Sequence, residues 1–199
     1  MKKALIGYGG HAKEIMAQMG EVLPCYVDDK YVCENTQKLS DFDSQKFKVM
    51  IAIAEPESRK KIKKSLPKNT IYFSFIHPTA QIMDKSVKIG KGTFIGANSI
   101  LTTNINIGHH AILNRGNHIG HDCTIGDFFS AMPNVVISGN VNIKDTVYIG
   151  ANSTIKEKLS IFENIVIGMG SVVTKDLVKS GIHYGNPAKF ISLIENNNN

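Results

Sequence analysis

The chain has 199 residues, enough for one or two domains with cores of their own. Lys and Arg outnumber Asp and Glu by 23 to 17, for a net charge of +6. That balance favours anionic partners, and no aromatic residues interleave with the densest basic run, Arg59 to Lys68, as nucleic-acid binding would want,. Three cysteines, Cys25, Cys33 and Cys123, have neither metal-ligand spacing nor an even count, which favours a reducing, cytoplasmic setting over a disulfide framework. The apolar start of MKKALIGYGG ends after Ile6, too short for a signal peptide, and no segment approaches membrane-spanning length.

From the N-terminus, KALIGYG (3–9), LPCYVDD (23–29), FKVMIAIA (47–54) and TIYFSFI (70–76) read as strands. HAKEIMAQMG (11–20) and PESRKKIKKSL (56–66) read as the helices between the first two and the last two,. This alternation predicts a small parallel sheet with packed helices, a Rossmann-like βαβ domain over residues 1–76. Residues 30–46 are polar and irregular and carry no assignment. The basic run from Arg59 to Lys68 has helical spacing and reads as a solvated helix face.

After His77-Pro78 the period becomes six. Fourteen of the fifteen positions from Ile89 to Val173 at this spacing are Ile, Leu or Val, the exception being Ala131. Ordinary sandwich turns would not hold one phase that long, so residues 77–199 are expected to form a coil of short strands. A glycine follows the aliphatic residue at 90, 96, 108, 120, 126, 150 and 168, where a corner would reject a Cβ. The position four after it is small or aliphatic, as in Thr93, Ser99, Ala111, Cys123 and Val135, giving two inward residues per six.

Two motifs carry chemistry. Gly7-Tyr8-Gly9-Gly10-His11-Ala12 follows a strand and opens a helix, and Asp28-Asp29 ends the next strand about twenty residues on, the layout of a dinucleotide fingerprint. The sheet stops after its first half, so one nucleotide is the alternative to two. In the coil, His121-Asp122 falls on the two corner positions after inward Ile119 and should project outward, with Thr103 and Gly139 stacked eighteen residues away. An imidazole there can take a proton from an attacking nucleophile, or it is a surface histidine. Cys123 falls in an inward phase, which argues for packing over nucleophilic attack. His109, His110 and His118 raise a zinc site, but their order along the coil does not bring three ligands to one corner, and no metal is expected.

GYGGHAKEI at the start, VDD at 27–29, IAIAEPESRKKI at 51–62, NHIGHDCTIGDF at 117–128 and GNPAK at 185–189 together resemble the bacterial sugar acetyltransferases. These include sialic acid O-acetyltransferases and N-acetyltransferases of nucleotide-linked 4-amino sugars. The resemblance implies a left-handed parallel β-helix with eighteen residues per turn, following the Rossmann-like domain. It implies acetyl transfer from acetyl-CoA to the amine of a nucleotide-linked amino sugar, with O-acetylation as the alternative, and a nucleotide sensor using only the fingerprint as a remote one. Gly9, Gly10, His11, Asp28, Asp29 and Ala54 would hold the sugar nucleotide. His121 would be the general base and Asp122 its helper, with Ser130, Ala151 and Met169 on acetyl-CoA. Relatives often carry histidine where this chain has Ser130, and some have glycine at Met169. A homotrimer is implied too, burying outward Val136, Tyr148 and Val166.

Overall fold

In the computed structural model, which describes residues 1–194, the chain opens with a four-stranded parallel sheet. Its strands are β1 (Lys2–Ile6), β2 (Cys25–Val27), β3 (Gln37–Lys38) and β4 (Phe47–Ile51), in the order β3-β2-β1-β4. Helices α1 (Gly10–Met19) and α2 (Pro56–Ser65) follow β1 and β4. Successive strand residues point to opposite faces. Ala4, Ile6, Val49 and Ile51 pack with Ile62 and Leu66, whereas Leu5, Cys25 and Met50 pack with Ala12 and Ile15 of α1. Gly20, in the left-handed region at φ 64°, stops α1, where a Cβ would be strained. Glu55 caps α2 by accepting from the Glu57 and Ser58 amides, and Pro56 opens it,.

Two sequence expectations change here. The stretch 30–46 supplies β3 and two short 3-10 turns. TIYFSFI is not a strand of this sheet: Tyr72 makes a single bridge to Val49, and Phe75–Ile76 pairs with Phe94–Ile95. The chain therefore passes from the sheet into the coil within that segment.

The coil is a three-sided prism of short parallel strands, most of two residues; the entering strands at Phe75 and Gln81 pair with strands nineteen residues on, and those from Lys88 to Thr154 with strands eighteen residues on. The first face carries Phe75–Ile76, Phe94–Ile95, Ile112–Leu113, Ser130–Ala131, Tyr148–Ile149 and Ile165–Ile167. On the second face are Gln81–Ile82, Ile100–Leu101, His118–Ile119, Val136–Ile137, Thr154–Ile155 and Val172–Val173. Lys88–Ile89, Asn106–Ile107, Thr124–Ile125, Asn142–Ile143 and Ser160–Ile161 form the third. A final strand pair, Gly181–Gly185 and Ala188–Ser192, extends the first face. From Ile95 to Val173 every residue of the six-residue phase is buried.

The corner glycines do reject a Cβ, through the neighbouring coil: one built on Gly120 would lie 2.7 Å from the Gly139 nitrogen. The backbone reversal itself falls two residues later. Asn98, Asn104, Asp122, Asn134, Asn140, Asn152 and Asn164 hold φ of 57–60° or, at Asn104, 54°, a region asparagine and aspartate enter more readily than most residues.

The N-terminal unit lies across the first face, so the two units share a core in which Leu5, Ile15 and Met50 meet Phe94 and Ile112. Along the edge between the first and second faces, Gln18 accepts from the Ala97 amide and Glu14 accepts from Asn114 and Arg115. Along the edge between the third and first faces, Arg59 of α2 donates to the carbonyls of His110, Phe128 and Phe129, and also to Ile53 and Ala54. The expectation of a wholly solvated basic face is thus corrected at Arg59, which is 1% exposed. Five carbonyls offset the desolvation of its charge, and burial lowers its pKa to about 9. Among the described residues no helix is long and apolar enough to cross a membrane.

Candidate functional site

The strand ends of the N-terminal sheet open into a cavity of about 870 Å³. Gly7, Gly9, Gly10 and His11 line one side, Asp28, Lys30 and Tyr31 another, and Ile53, Ala54, Ser58 and Lys61 a third. Gly7, at φ 109°, passes so close to Ala52 and Ile53 that a Cβ would meet Ile53 at 2.9 Å. A Cβ on Gly9 or Gly10 would meet nothing within 4 Å, so the approach to α1 is open. Helix α1 begins there with no side-chain cap and no acidic residue in its first turn. Its first amides are therefore free to face an anion, a role the helix dipole favours. The His11 ring is edge-on to Phe94, and its Nε2 is buried without a partner. Burial, with the Arg59 charge adding to it, lowers the His11 pKa to about 4, so the ring is neutral at neutral pH.

Of the residues expected to hold a nucleotide, Gly9, Gly10, His11, Asp28 and Ala54 share this cavity. Asp29 does not line it; its carboxylate accepts from the Ser40 amide and hydroxyl. Ser58 and Lys61 were missed in the sequence: Lys61 lies in the basic run read as solvated, and Ser58 stands just before it. Their spacing of three residues puts them on one side of α2.

His121 and Asp122 stand at the edge between the second and third faces. Asp122 Oδ2 lies 2.7 Å from His121 Nδ1, and Asp122 Oδ1 accepts from the Asn104 amide at 2.5 Å. A carboxylate only accepts, so in the neutral ring this bond puts the proton on Nδ1 and leaves Nε2 with a free lone pair. Those two bonds, that of Asn104 first, hold the Asp122 carboxyl below its ordinary range. The ring lies over Gly139, where a Cβ would meet Nε2 at 2.5 Å. Thr103 keeps only a backbone role toward this pair, its carbonyl accepting from the Asp122 amide. Asn104, one coil away, was not singled out in the sequence. The signal was present, since it stands eighteen residues before Asp122.

Cys123 is buried, its thiol donating to the Ser138 carbonyl and its pKa raised by burial, which suits packing rather than attack. His109 and His110 occupy the edge between the third and first faces and His118 lies on the second face, so the three do not converge. Ala151 and Met169 stack at the edge between the first and second faces, where the Gly170 amide donates to the Ala151 carbonyl; Met169 is 69% exposed. Ser130 does not join them. It is fully buried, and its hydroxyl donates to the Ala54 carbonyl at 2.7 Å. Its side chain thus ties the coil to the wall of the cavity, away from the edge of Ala151 and Met169.

The edge bearing His121 is the one edge of the prism that does not border the first face, and the first face is the one the N-terminal unit covers. Within one chain, the cavity and the histidine therefore lie on opposite sides of the coil.

A model of the hexapeptide repeat of succinyl-transferase matches residues 86–117 and 140–175. The chain is 32% identical over 121 residues to GDP-perosamine N-acetyltransferase of Escherichia coli O157:H7, covering 60% of this chain and 54% of that protein. It spans about half the length of the curated relatives it matches. The solved structure of WeeI from Acinetobacter baumannii AYE superposes with a TM-score of 0.80 at 27% identity, covering 96% of this chain and all of that one (100%). PerB from Caulobacter crescentus, solved in complex with CoA and GDP-perosamine, superposes with a TM-score of 0.74 at 23% identity, over 96% and 98% of the two chains, a likeness of fold. By its repeat, its three-sided coil and its relatives, the chain carries the hexapeptide repeat and is similar to sugar acyltransferases built on it.

Proposed function

We propose that this protein transfers the acetyl group of acetyl-CoA to the amine of a nucleotide-linked amino sugar of the 4-amino-4,6-dideoxy type. The observation that carries the reading is the His121–Asp122 pair, exposed on a coil edge with Nε2 unpartnered and Nδ1 held by a carboxylate. The curated relative GDP-perosamine N-acetyltransferase supports the choice of an amine acceptor.

The N-terminal unit, residues 1–76, is read as a partial Rossmann-like fold, its order β3-β2-β1-β4 matching the first half of the dinucleotide-binding sheet with one strand of the second,. A diphosphate would meet the free amides of α1 at Gly9 and Gly10, and Asp28 would accept from the sugar or base hydroxyls and amides of the nucleotide. The second unit, 77–199 in the sequence, is read over its described residues as a left-handed coil, as in the relatives that it resembles. Acetyl-CoA would run past Ala151 and Met169. Because His121 stands opposite the cavity of its own chain, the sugar held by one chain meets the histidine of another. This supports a homotrimer, with Val136 of the second face, 38% exposed, toward the neighbouring copies. Tyr148 and Val166 lie on the first face and are already half-buried within the chain.

In this arrangement the amine lone pair attacks the thioester carbonyl. His121 Nε2 takes the ammonium proton as the C–N bond forms, the C–S bond breaks, and CoA thiolate leaves and is reprotonated. Both substrates are bound together, and no acyl-enzyme forms. A cytoplasmic location follows from the supply of acetyl-CoA and sugar nucleotides.

Thiol release from acetyl-CoA, measured with a panel of UDP-, dTDP- and GDP-linked amino sugars and their hydroxyl counterparts, tests the reading. Turnover confined to amino acceptors is expected. Turnover with hydroxyl acceptors alone would move the assignment to O-acetylation, and nucleotide binding without any thiol release would overturn it.

A further inference from the structure

The edge that carries His121 holds a column of hydrogen bonds running from coil to coil. The Ser86 hydroxyl donates to Asp84 Oδ1 and accepts from the Asn104 amide N–H at 2.6 Å. The Asn104 side chain then donates to Asp122 Oδ1, and Asp122 Oδ2 receives the His121 Nδ1 proton. We propose that Asn104 is a positioning residue for the reaction assigned above: by tying down one oxygen of Asp122, it presents the other to His121 Nδ1 and so fixes the tautomer of the neutral ring, with Nε2 facing outward. This rests on the acetyl-transfer reading.

A corner of this coil asks only for a residue that tolerates a positive φ, and six asparagines occupy the equivalent position, at 98, 104, 134, 140, 152 and 164. Among the described residues only Asn104 donates from its side chain to a carboxylate there. Asn164 instead accepts from Thr146. The column is therefore a local feature and not a by-product of the fold. Asp122 is exposed and itself at a positive φ of 59°, so without the amide its carboxylate would rotate toward water and share its two oxygens freely. The depressed Asp122 pKa, for which the Asn104 bond is the first cause, agrees with a carboxylate held by that contact.

Asn104→Gly tests this without backbone strain, because glycine accepts the φ of 54°,. Asn104→Asp keeps the shape and removes the donor. With acetyl-CoA and the amino-sugar nucleotide that the acceptor panel identifies, either variant should lower kcat about five- to tenfold and leave both KM values within about twofold. Added to His121→Ala, Asn104→Gly should cause no further loss, since its effect passes through the imidazole. A wild-type kcat in Asn104→Gly, or the same loss in the His121→Ala background, would overturn the role.

A second arm needs no turnover. Nitrogen-15 histidine spectra of the ligand-free protein, with the His121 signal assigned by His121→Ala, should show the Nδ1-protonated form. Asn104→Gly should show a mixture of the two tautomers. An unchanged tautomer there would overturn the positioning role even if the acceptor proved to be something else, and a wild-type protein that turned over no acceptor would count against the acetyl-transfer reading alone.

Discussion

The two units solve the problem of building a site in opposite ways. The cavity of the N-terminal unit is assembled from the ends of consecutive strands and helix starts, residues 7–11, 26–31 and 52–65, so each wall is a short local segment. The site on the coil is assembled by stacking, Asn104 to Asp122 and His121 to Gly139, partners that meet because the chain returns after one turn. The first kind of site tolerates change in one wall at a time. The second depends on the register of the whole coil, because a slip would move every stacked partner together.

The largest effect should come from breaking the stacked site itself. His121→Ala is expected to lower kcat by about 10² to 10⁴, while equilibrium dialysis still finds acetyl-CoA bound, since Ala151 and Met169 lie on another edge. Wild-type turnover of an amino acceptor by a folded His121→Ala protein would return that edge to ordinary surface. Next is the register that supports it. Ile149, fully buried in the coil core, should cost about 2 to 5 kcal/mol when cut to alanine, and denaturant unfolding that found no loss would contradict the inward phase.

Changes in the local site should be milder and separable. Asp28→Ala should raise the acceptor KM about tenfold, the worth of one hydrogen-bonding carboxylate, with the KM for acetyl-CoA unmoved; a shift in both would deny the division of labour. The smallest effect concerns acid. His11, by burial and then the Arg59 charge, and His110, by burial and the same charge, have pKa values lowered to about 4, against roughly 6.5 in an unfolded chain. Between those values the unfolded chain binds protons the folded one does not, so stability should fall as pH drops from 6.5 toward 4. Melting curves across that window should show the fall, and His110→Asn, which suits the φ of 56°, should flatten it. A melting temperature independent of pH there would mean these rings titrate freely.

How much of this could be read in advance follows the same division. The six-residue phase announced the inward residues from Ile95 to Val173, and adding eighteen to a residue number announced that Gly139 makes room for His121. The same arithmetic would have found Asn104, but attention to glycine as the corner residue hid the asparagines that make the reversal. In the N-terminal unit the strands β1, β2 and β4 and both helices were legible from alternation and spacing. Arg59 was not, because a helix-spaced basic run looks solvated unless one knows that a second unit covers it. The surroundings of Ser130 were hidden for a related reason: a match of position to relatives says nothing of which neighbour buries the side chain, and here the neighbour is the Ala54 carbonyl.

The Arg59 joint has a consequence for how such chains diverge. All five of its acceptors are main-chain carbonyls, at Ile53, Ala54, His110, Phe128 and Phe129. The contact reads the path of the backbone and is blind to the side chains along it. Any coil that turns its corners in the same conformation offers the same carbonyls, whatever its sequence. The rest of the joint is not blind in this way: the core that Leu5, Ile15 and Met50 share with Phe94 and Ile112, and the bonds of Glu14 to Asn114 and Arg115, do ask for particular side chains on the coil.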